Sequence, residues 1–208
     1  VVAVHLNGRA AEIGKLKEML ESTKATLISD AAQALGSRGA QGLLGTHCDI
    51  GCFSTGITKL LPTGEGGFCV TRDKALAKRL AAVRNHGTSQ ISTNRFEQLG
   101  FNLRPTDLLS ALAVAQLPRL EARIKALKAL YIRYETALTD HPSLHLLPVN
   151  IEKGELPLWI EVLTPKRDAL QKKLLSLGIE TKASHPPLSD SPHLRSDKSF
   201  PNAARFAG

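Results

Sequence analysis

The sequence has little cysteine. Only 3 of its 208 residues are cysteines. An odd, low number argues against a disulfide-stabilised secreted scaffold and for a reducing compartment, so the cytoplasm is the predicted location. His47, Cys48 and Cys52 lie close enough together to suggest zinc, but a fourth ligand at a fitting spacing is missing. The preferred interpretation is therefore that the thiols are free and buried, with no metal site.

Long apolar runs and blocks of basic residues are also missing. No run approaches the roughly 18–20 apolar residues that span a bilayer, and the first residues do not have the pattern of a signal peptide, so no membrane partner is predicted. The net charge of +8 allows a nucleic-acid surface as one interpretation. However, the basic residues alternate with apolar ones at helical spacing, as in RLEARIKALKALYIRY, which favours solvated helix faces and no nucleic-acid partner.

Strand-like and helix-like segments alternate in the first half of the chain. Strands are predicted at VVAVHL, TLISD, CDIGCFS and GGFCVT, and helices at AAEIGKLKEMLESTK and DKALAKRLAAVRNHG. Asp73 is placed to cap the second helix, and Gly87 lies just past its end. This order predicts an α/β fold with a mostly parallel sheet, which becomes mixed if LLPTGEGG connects two strands as a hairpin.

The second half begins with a long polar loop, residues 88–106, and loops of this length are usually functional or disordered. A long helix is predicted from Thr106, kinked or split in two at Pro118. Beyond it, LHLLPVN, PLWIEVL and IETKAS are predicted strands. The segment PKRDALQKKLLSLG is a predicted helix with Pro165 in its first turn and Gly178 after its end.

Two domains follow from this change of pattern. The boundary is predicted near residues 139–143. Residues 1–140 would form an α/β domain that ends with the long helix, residues 106–139. Residues 141–208, with their strand–strand–helix–strand order, would form a small α+β lobe.

Three polar side chains stand out at predicted strand ends and loops. Lys59, in CFSTGITKLLPTGEGG, has no acidic residue within five positions on either side. A deprotonated amine is a nucleophile that forms Schiff bases with carbonyl compounds, although most loop lysines are structural or solvated. Asp30 ends TLISD and could pair with a pyridinium nitrogen or cap the next segment. Ser54 ends CDIGCFS and could donate to a phosphate oxygen or be an ordinary serine at a strand end.

A series of short motifs appears in order along the chain: Asp30–Gln33, Asp49–Ser54, Thr58–Lys59, Gly64–Gly67, Arg84–Gly87 and Gly100–Arg104. In this order and spacing, the series resembles the PLP-dependent sugar-nucleotide aminotransferases of the DegT type, which have fold type I. The resemblance implies a three-layer, mostly parallel sheet, a catalytic homodimer and pyridoxal 5'-phosphate (PLP) as cofactor. It also implies transamination of a nucleotide-linked keto sugar with glutamate as amino donor.

The resemblance assigns roles to individual side chains. Lys59 would hold the cofactor covalently and then move the proton, and Asp30 would bind the pyridine nitrogen. Gln33 would contact the 3-oxygen of the ring, and Ser54 the phosphate. Asn102, on a dimer loop at residues 88–104, would reach the neighbouring subunit's phosphate. A lysine at position 59 favours amino transfer, since a dehydrating branch of the family has histidine there.

Two further roles are on the substrate side, where Arg104 and His185 would lie near the sugar nucleotide. The resemblance also implies that a segment of roughly a hundred residues belongs before Val1 and supplies the main phosphate turn at a helix N-terminus, and that the small domain is cut short at its end. An alternative is therefore a truncated, non-catalytic relative that acts as a binding or regulatory protein.

Overall fold

A computed structural model of the chain describes residues 1–90, 92, 95–194 and 198–207. The strands are β1 Val2–Val4, β2 Ile28–Asp30, β3 Arg38–Gly39, β4 Gly42–Leu43, β5 Ile50–Ser54, β6 Gly67–Val70, β7 His145–Leu146 and β8 Val162–Leu163. The helices are α1 Ile13–Leu20, α2 Lys74–Arg84, α3 Asp107–Gln116, α4 Leu120–Leu138, α5 Arg167–Ser176 and α6 Pro201–Ala207. No helix in the described part of the chain is both long enough and apolar enough to cross a membrane.

Four of the predicted strands form one mixed sheet with the order β1-β2-β5-β6. The first three strands are parallel, and β6 runs antiparallel to β5 after a hairpin-like connection, as predicted. In register, Val4 pairs with Asp30, Asp30 with Cys52, and Cys52 with Cys69. Paired residues share a face of the sheet, so these four side chains form one row across it.

The two faces of this sheet differ in burial. Ala3, Leu27 and Phe53 are buried on one face, where α1 packs Ile13 against Ala3 and Leu27. On the other face Val2 is 60 % exposed. The row that contains Asp30 and Cys52 belongs to this second, more open face, because side chains alternate along a strand.

The capping prediction for α2 is confirmed. The Asp73 carboxylate accepts hydrogen bonds from the N–H groups of Ala75 and Leu76, at 2.7 and 3.1 Å. These N–H groups have no partner inside the helix, so the cap stabilises the first turn. At the other end, Gly87 adopts a φ of 80° and its N–H bonds to the carbonyl oxygen of Ala82.

Pro118 divides the predicted long helix, as expected. A 3₁₀ turn at Leu117–Arg119 separates α3 from α4, because proline cannot donate the backbone hydrogen bond that a continuous helix needs. The Thr106 hydroxyl accepts from the N–H of Leu109 and caps α3. The loop before it is irregular, as predicted, although Ile91, Thr93 and Asn94 lie outside the described residues.

Three strand predictions in the second half are wrong or too long. LHLLPVN and PLWIEVL contain only the two-residue strands β7 and β8, and residues 179–184, IETKAS, form none. Much of the first two segments makes irregular hydrogen bonds to the first 40 residues instead. The amide N–H of Trp159, for example, donates to Oδ1 of Asn7 at 2.8 Å. Alternating apolar residues form a strand only where a neighbouring strand has backbone groups left to pair with. In these segments, tertiary contacts to side chains replace most of that pairing.

The start of α5 also differs from the prediction. Helical residues begin at Arg167, and Pro165 lies before the N-cap residue Lys166 rather than in the first turn. The N–H of Lys166 donates to Oγ1 of Thr164, a local turn that delays the helix by two residues. Gly178 follows the helix with a φ of 77°, as its position suggested.

The backbone divides into two compact units. The first contains residues 1–140 and 146–161, and the second contains residues 141–145 and 162–208. The division predicted from the sequence placed all residues after 140 in the second domain. Residues 146–161 belong to the first unit because side chains near the N-terminus of the chain hydrogen-bond to this segment. Asn7 binds Trp159, and Arg9 binds the carbonyl oxygen of Pro148.

Candidate active site

Polar side chains collect where the parallel strands end. Asp30 is the last residue of β2 and Ser54 the last residue of β5, and His5 follows β1 directly. Because β1, β2 and β5 are parallel, these three positions lie at the same edge of the sheet, the edge at which α/β proteins commonly bind ligands. Two of the three were predicted from the sequence, and His5 was missed.

Lys59 lies in the loop between β5 and β6, and two threonines hold this loop at its base. The hydroxyl of Thr63, a buried residue, lies 2.8 Å from the hydroxyl of Thr55, and the N–H of Thr63 donates to the Thr55 carbonyl oxygen at 2.8 Å. The N–H of Thr55 donates to the carbonyl oxygen of Gly66. The loop is therefore fixed by its own hydrogen bonds, and this positions Lys59 next to the end of β5.

Three of the predicted residues line one small pocket. Gln33, Ser54 and Lys59 contact it, together with apolar side chains that include Leu127 and Leu158. Asp30 does not line this pocket but ends the neighbouring strand, three residues before Gln33. The sequence therefore identified three residues that the fold brings to one pocket, although Gln33 and Lys59 are 26 positions apart along the chain.

The hydrogen bonds of these residues leave useful groups free. Oγ of Ser54 accepts from the N–H of Gly56 at 3.2 Å, so its hydroxyl hydrogen is not used in that bond. Oδ1 of Asp30 accepts from the N–H of Ala32 at 3.0 Å, which uses one of the two carboxylate oxygens. Oε1 of Gln33 accepts a backbone N–H at 2.7 Å, which leaves both amide hydrogens of its side chain outside that bond.

Lys59 faces an aromatic ring. Its Nζ lies 5.2 Å from the centroid of the Trp159 ring, within cation–π distance. Among the described residues the Lys59 ammonium group makes no ion pair. The half-buried Lys59 amine therefore has an aromatic ring rather than a carboxylate as its neighbour, so no ion pair with a described residue has to be broken before the amine reacts with a carbonyl compound.

Asn7 connects Trp159 to Gln33, and sequence reasoning missed it. The side chain of Asn7 donates to the Trp159 carbonyl oxygen at 2.9 Å and accepts the Trp159 N–H at 2.8 Å, while its own N–H donates to Gln33. It also donates to Glu161, which binds Arg9 at 2.7 Å. The sequence feature that could have identified Asn7 is the pair Asn7-Gly8 directly after a predicted strand. Such a pair is typical of a turn with positive φ values, and both residues adopt them.

His5 is buried with one ring nitrogen unpaired. It is 1 % exposed, and its Nδ1 accepts the N–H of Ala11 at 3.0 Å, which places the proton of the neutral ring on Nε2. Within the described part of the chain, no group hydrogen-bonds to that Nε2. Burial lowers the pKa of His5 from 6.5, although the backbone at Arg9 and the Asp30 carboxylate oppose the shift.

The lowered pKa of His5 makes stability depend on pH. The folded state holds His5 neutral, so below the unfolded-state pKa of 6.5 the unfolded chain binds more protons and the free energy of unfolding falls as pH decreases. We expect His5→Asn, which retains an acceptor for Ala11, to reduce this fall between pH 7 and pH 5.5. Denaturant unfolding at several pH values measures the free energy of unfolding of the wild-type protein and of the variant. An equal decrease in both proteins between pH 7 and pH 5.5 would contradict the assignment of this pH dependence to His5.

The remaining predicted residues do not line the Lys59 pocket. Asn102 and Arg104 are exposed on the long loop, where Nε of Arg104 donates to Oδ1 of Asn102 at 3.1 Å. Asn102 also forms an isolated backbone bridge with Asn85. His185 is an exposed residue of the second unit. No group of three or more metal-binding side chains occurs in the described ranges.

Comparison with known proteins identifies the family of this chain. The DegT/DnrJ/EryC1/StrS aminotransferase family matches residues 1–208. A dTDP-3-amino-3,4,6-trideoxy-alpha-D-glucose transaminase of Streptomyces venezuelae is 32 % identical over all of this chain and 56 % of its own length. A dTDP-4-dehydro-2,3,6-trideoxy-D-glucose 4-aminotransferase of Saccharopolyspora spinosa is 29 % identical over 98 % of this chain and 57 % of its own length. The chain thus spans little more than half of these relatives.

Solved structures confirm the predicted fold class. DesV of S. venezuelae, in complex with a ketimine intermediate, superimposes with a TM-score of 0.88 at 31 % identity, over 99 % of this chain and 57 % of the DesV chain. The α/β architecture of the PLP fold type I enzymes is therefore present in this chain. On the match to the whole chain, the protein belongs to the DegT/DnrJ/EryC1/StrS aminotransferase family.

Proposed function

We propose that the protein containing this chain is a PLP-dependent aminotransferase. It transfers an amino group from glutamate to a keto sugar carried on a nucleoside diphosphate, and it works as a cytoplasmic homodimer. The observation that carries this proposal is the pocket that Gln33, Ser54 and Lys59 share at the strand edge next to Asp30.

The groups left free at this edge fit the chemistry of PLP. The cofactor carries an aldehyde, a phenolic oxygen, a pyridine nitrogen and a phosphate. Lys59 offers an amine without an ion pair among the described residues, and Gln33 offers amide hydrogens. Asp30 offers a carboxylate oxygen, and Ser54 a hydroxyl hydrogen. Each cofactor group therefore has a side chain of complementary chemistry, and hydrogen bonds from backbone N–H groups hold the side chains of Asp30, Gln33 and Ser54 in place.

When bound, PLP supplies a carbonyl group for amines and an electron sink for the resulting carbanion. Lys59 would hold the cofactor covalently and would serve as the base that moves the proton during amino transfer. Asp30 would keep the pyridine nitrogen protonated, since a carboxylate stabilises an adjacent cation. Trp159 would orient the Lys59 side chain while its amine is protonated, because a ring face attracts an ammonium group without fixing one hydrogen-bond direction.

The names of two relatives support a proposal for the substrate class. The two curated transaminases described above act, by their names, on dTDP-linked deoxysugars. We propose the same class here, with Arg104 and His185 on the substrate side. The exposed Asn102 would reach the phosphate site of a second subunit, and this requires the homodimer.

Amino transfer itself is the test. The complete protein that contains this chain is incubated with PLP, glutamate and a dTDP-linked 4-keto-6-deoxyglucose. The sugar nucleotides are then separated by chromatography and identified by mass spectrometry. We expect an amino-sugar nucleotide and an equal amount of 2-oxoglutarate. Consumption of the keto sugar without 2-oxoglutarate would contradict transamination and indicate a different reaction.

Asp30 has its own expected result. Asp30→Asn keeps an oxygen for the N–H of Ala32 but removes the negative charge. We expect the transamination rate to fall about 10²–10³-fold, the usual effect of losing one electrostatic contact to the reacting system.

Asp49→Asn is the matched control for Asp30→Asn. The Asp49 carboxylate also accepts a backbone N–H, that of Leu27 at 2.8 Å, but it lies before β5, away from the strand ends. Steady-state rates with saturating PLP compare the two variants. An equal loss in both would assign Asp30 a structural role only.

A further inference from the structure

Cys52 and Cys69 are directly opposite each other in the central sheet. They are register partners on the antiparallel strands β5 and β6, and their Sγ atoms are 3.9 Å apart. Both are free thiols, and Cys69 is exposed. Neither thiol has a role in the proposed transamination, so the pair needs a separate explanation.

The backbone geometry of this pair suits a disulfide bond. The carbonyl oxygen of Cys52 accepts the N–H of Ala31 on the β2 side, so Cys52 makes no ladder hydrogen bond toward β6. Independently, Thr55 donates to Gly66, which makes that pair hydrogen-bonded and, by alternation, makes Cys52 and Cys69 a non-hydrogen-bonded pair. In such pairs the Cα atoms are about 4.5 Å apart, inside the range of about 4.4–6.8 Å found in disulfides.

The position of the pair relates it to the site. Strands β5 and β6 are the two ends of the loop that carries Lys59, and residues 52 and 69 close that loop at its base. Cys52 also pairs with Asp30 on its other side. A covalent bond between the thiols would therefore link the strand beside Asp30 to β6 and enclose Lys59 in a covalent ring.

We propose that Cys52 and Cys69 form a redox-modification site, at which a small-molecule disulfide oxidises the two thiols to a cross-strand disulfide at the base of the Lys59 loop. With oxidised glutathione, the exposed Cys69 attacks first and forms a mixed disulfide, which releases one glutathione thiolate. Cys52 then attacks the Cys69 sulfur and releases the second. Two protein thiols become one disulfide, and one oxidised glutathione becomes two reduced molecules.

The second step has a defined pH dependence. Burial raises the pKa of Cys52 to about 11, with Cys69 on β6 and the Asp30 carboxylate on β2 adding to the shift. Cys52 is therefore a neutral thiol at pH 7. In the mixed disulfide Cys69 no longer carries a thiol, so burial and the Asp30 carboxylate alone raise the pKa of Cys52. Ring closure therefore accelerates as the pH increases above 7, because the thiolate fraction of Cys52 increases.

The experiment uses Cys48→Ser, which removes the third cysteine and leaves the pair intact. The protein is incubated with oxidised glutathione at pH 8.5, alkylated and digested with trypsin without reduction. We expect residues 39–59 and 60–72 to appear as one linked peptide that separates on adding dithiothreitol. Amide hydrogen exchange in residues 55–66 slows several-fold in the oxidised protein, since the disulfide restricts local opening.

Two further variants decide the interpretation. Cys52→Ser in the same background should retain a stable glutathione adduct on Cys69, because the resolving thiol is missing. Cys69→Ser should give no linked peptide. A persistent glutathione adduct on Cys69 in the protein that still has Cys52, or unchanged hydrogen exchange after complete linkage, would overturn the proposal. Neither result depends on PLP or on amino transfer, so the proposed function is tested separately.

Discussion

Lys59→Ala is expected to abolish both the covalent attachment of PLP and amino transfer. Wild-type protein mixed with PLP should gain a Schiff-base absorbance band, and borohydride should fix the cofactor on the peptide that contains Lys59. In the variant we expect no fixed cofactor at that position. We also expect at least about a 10³-fold loss of transamination, because nucleophile and proton-transfer roles are lost together.

The geometry is the reason for so large an effect. Lys59 lines the same pocket as Gln33 and Ser54, and the hydrogen bonds of Thr55 and Thr63 hold its loop beside that pocket. A lysine on another part of the surface has no such loop to hold its amine at the pocket. Removal of the Lys59 amine is therefore expected to abolish the reaction rather than only weaken cofactor binding.

Two control variants separate the nucleophile from the charge. Lys59→Arg retains a cation that can lie over the Trp159 ring, but a guanidinium group does not form a Schiff base under these conditions. Lys125→Ala removes an exposed lysine from α4. We expect Lys59→Arg to be inactive with a nearly unchanged melting temperature, and Lys125→Ala to resemble wild type. Normal activity and a fixed cofactor in Lys59→Arg would assign the chemistry to another lysine.

Gly8→Ala is expected to destabilise the first unit by about 4 kcal/mol or more, which is beyond the range of ordinary substitutions. Gly8 adopts a φ of 77°, and an added Cβ would lie 1.8 Å from the carbonyl oxygen of Leu156. The conformational strain alone is worth about 1–2 kcal/mol. The remainder arises because the backbone at Leu156 must move away from residue 8.

The same displacement would reach the candidate site. Leu156 lies three residues before Trp159, whose ring faces Lys59. Trp159 is the single tryptophan of the sequence, so its fluorescence reports on this contact directly. We expect Gly8→Ala to change the emission of the folded protein as well as to lower the melting temperature, by roughly 8–16 °C for a chain of this size.

Gly178→Ala is the matched control for this substitution. Gly178 has the same φ of 77°, but a Cβ there would meet nothing within 4 Å. We expect it to cost only the conformational strain, about 1–2 kcal/mol, with unchanged tryptophan emission. Thermal unfolding followed by fluorescence and circular dichroism compares the two variants. Equal losses of stability would mean that the contact between residue 8 and Leu156 carries no additional energy.

The local elements that the sequence predicted well have a short-range cause. Asp73 caps α2 through two N–H groups that are its near neighbours in sequence, and Pro118 breaks the helix at its own position. The edge that Asp30 and Ser54 share also follows from the strand order, since parallel strands end on the same side of a sheet. These features need no knowledge of distant contacts.

The features that the sequence did not predict depend on distant partners. Asn7 binds Trp159 from 152 positions away, and the unpaired Nε2 of His5 becomes apparent only when the ring is buried. In residues 146–161, the N–H groups of Leu156 and Trp159 donate to the side chains of two distant residues, Ser37 and Asn7, and not to another strand.

The sequence by itself determined the α/β class, the helix cap at Asp73 and the family resemblance, because periodicity, capping and motif order are properties of neighbouring residues. Only the tertiary structure decided that Lys59 faces Trp159 and that Cys52 lies opposite Cys69. It also decided that residues 146–161 pack with the first unit. The physical reason is that register and long-range hydrogen bonds depend on which backbone groups are still unpaired when distant segments meet.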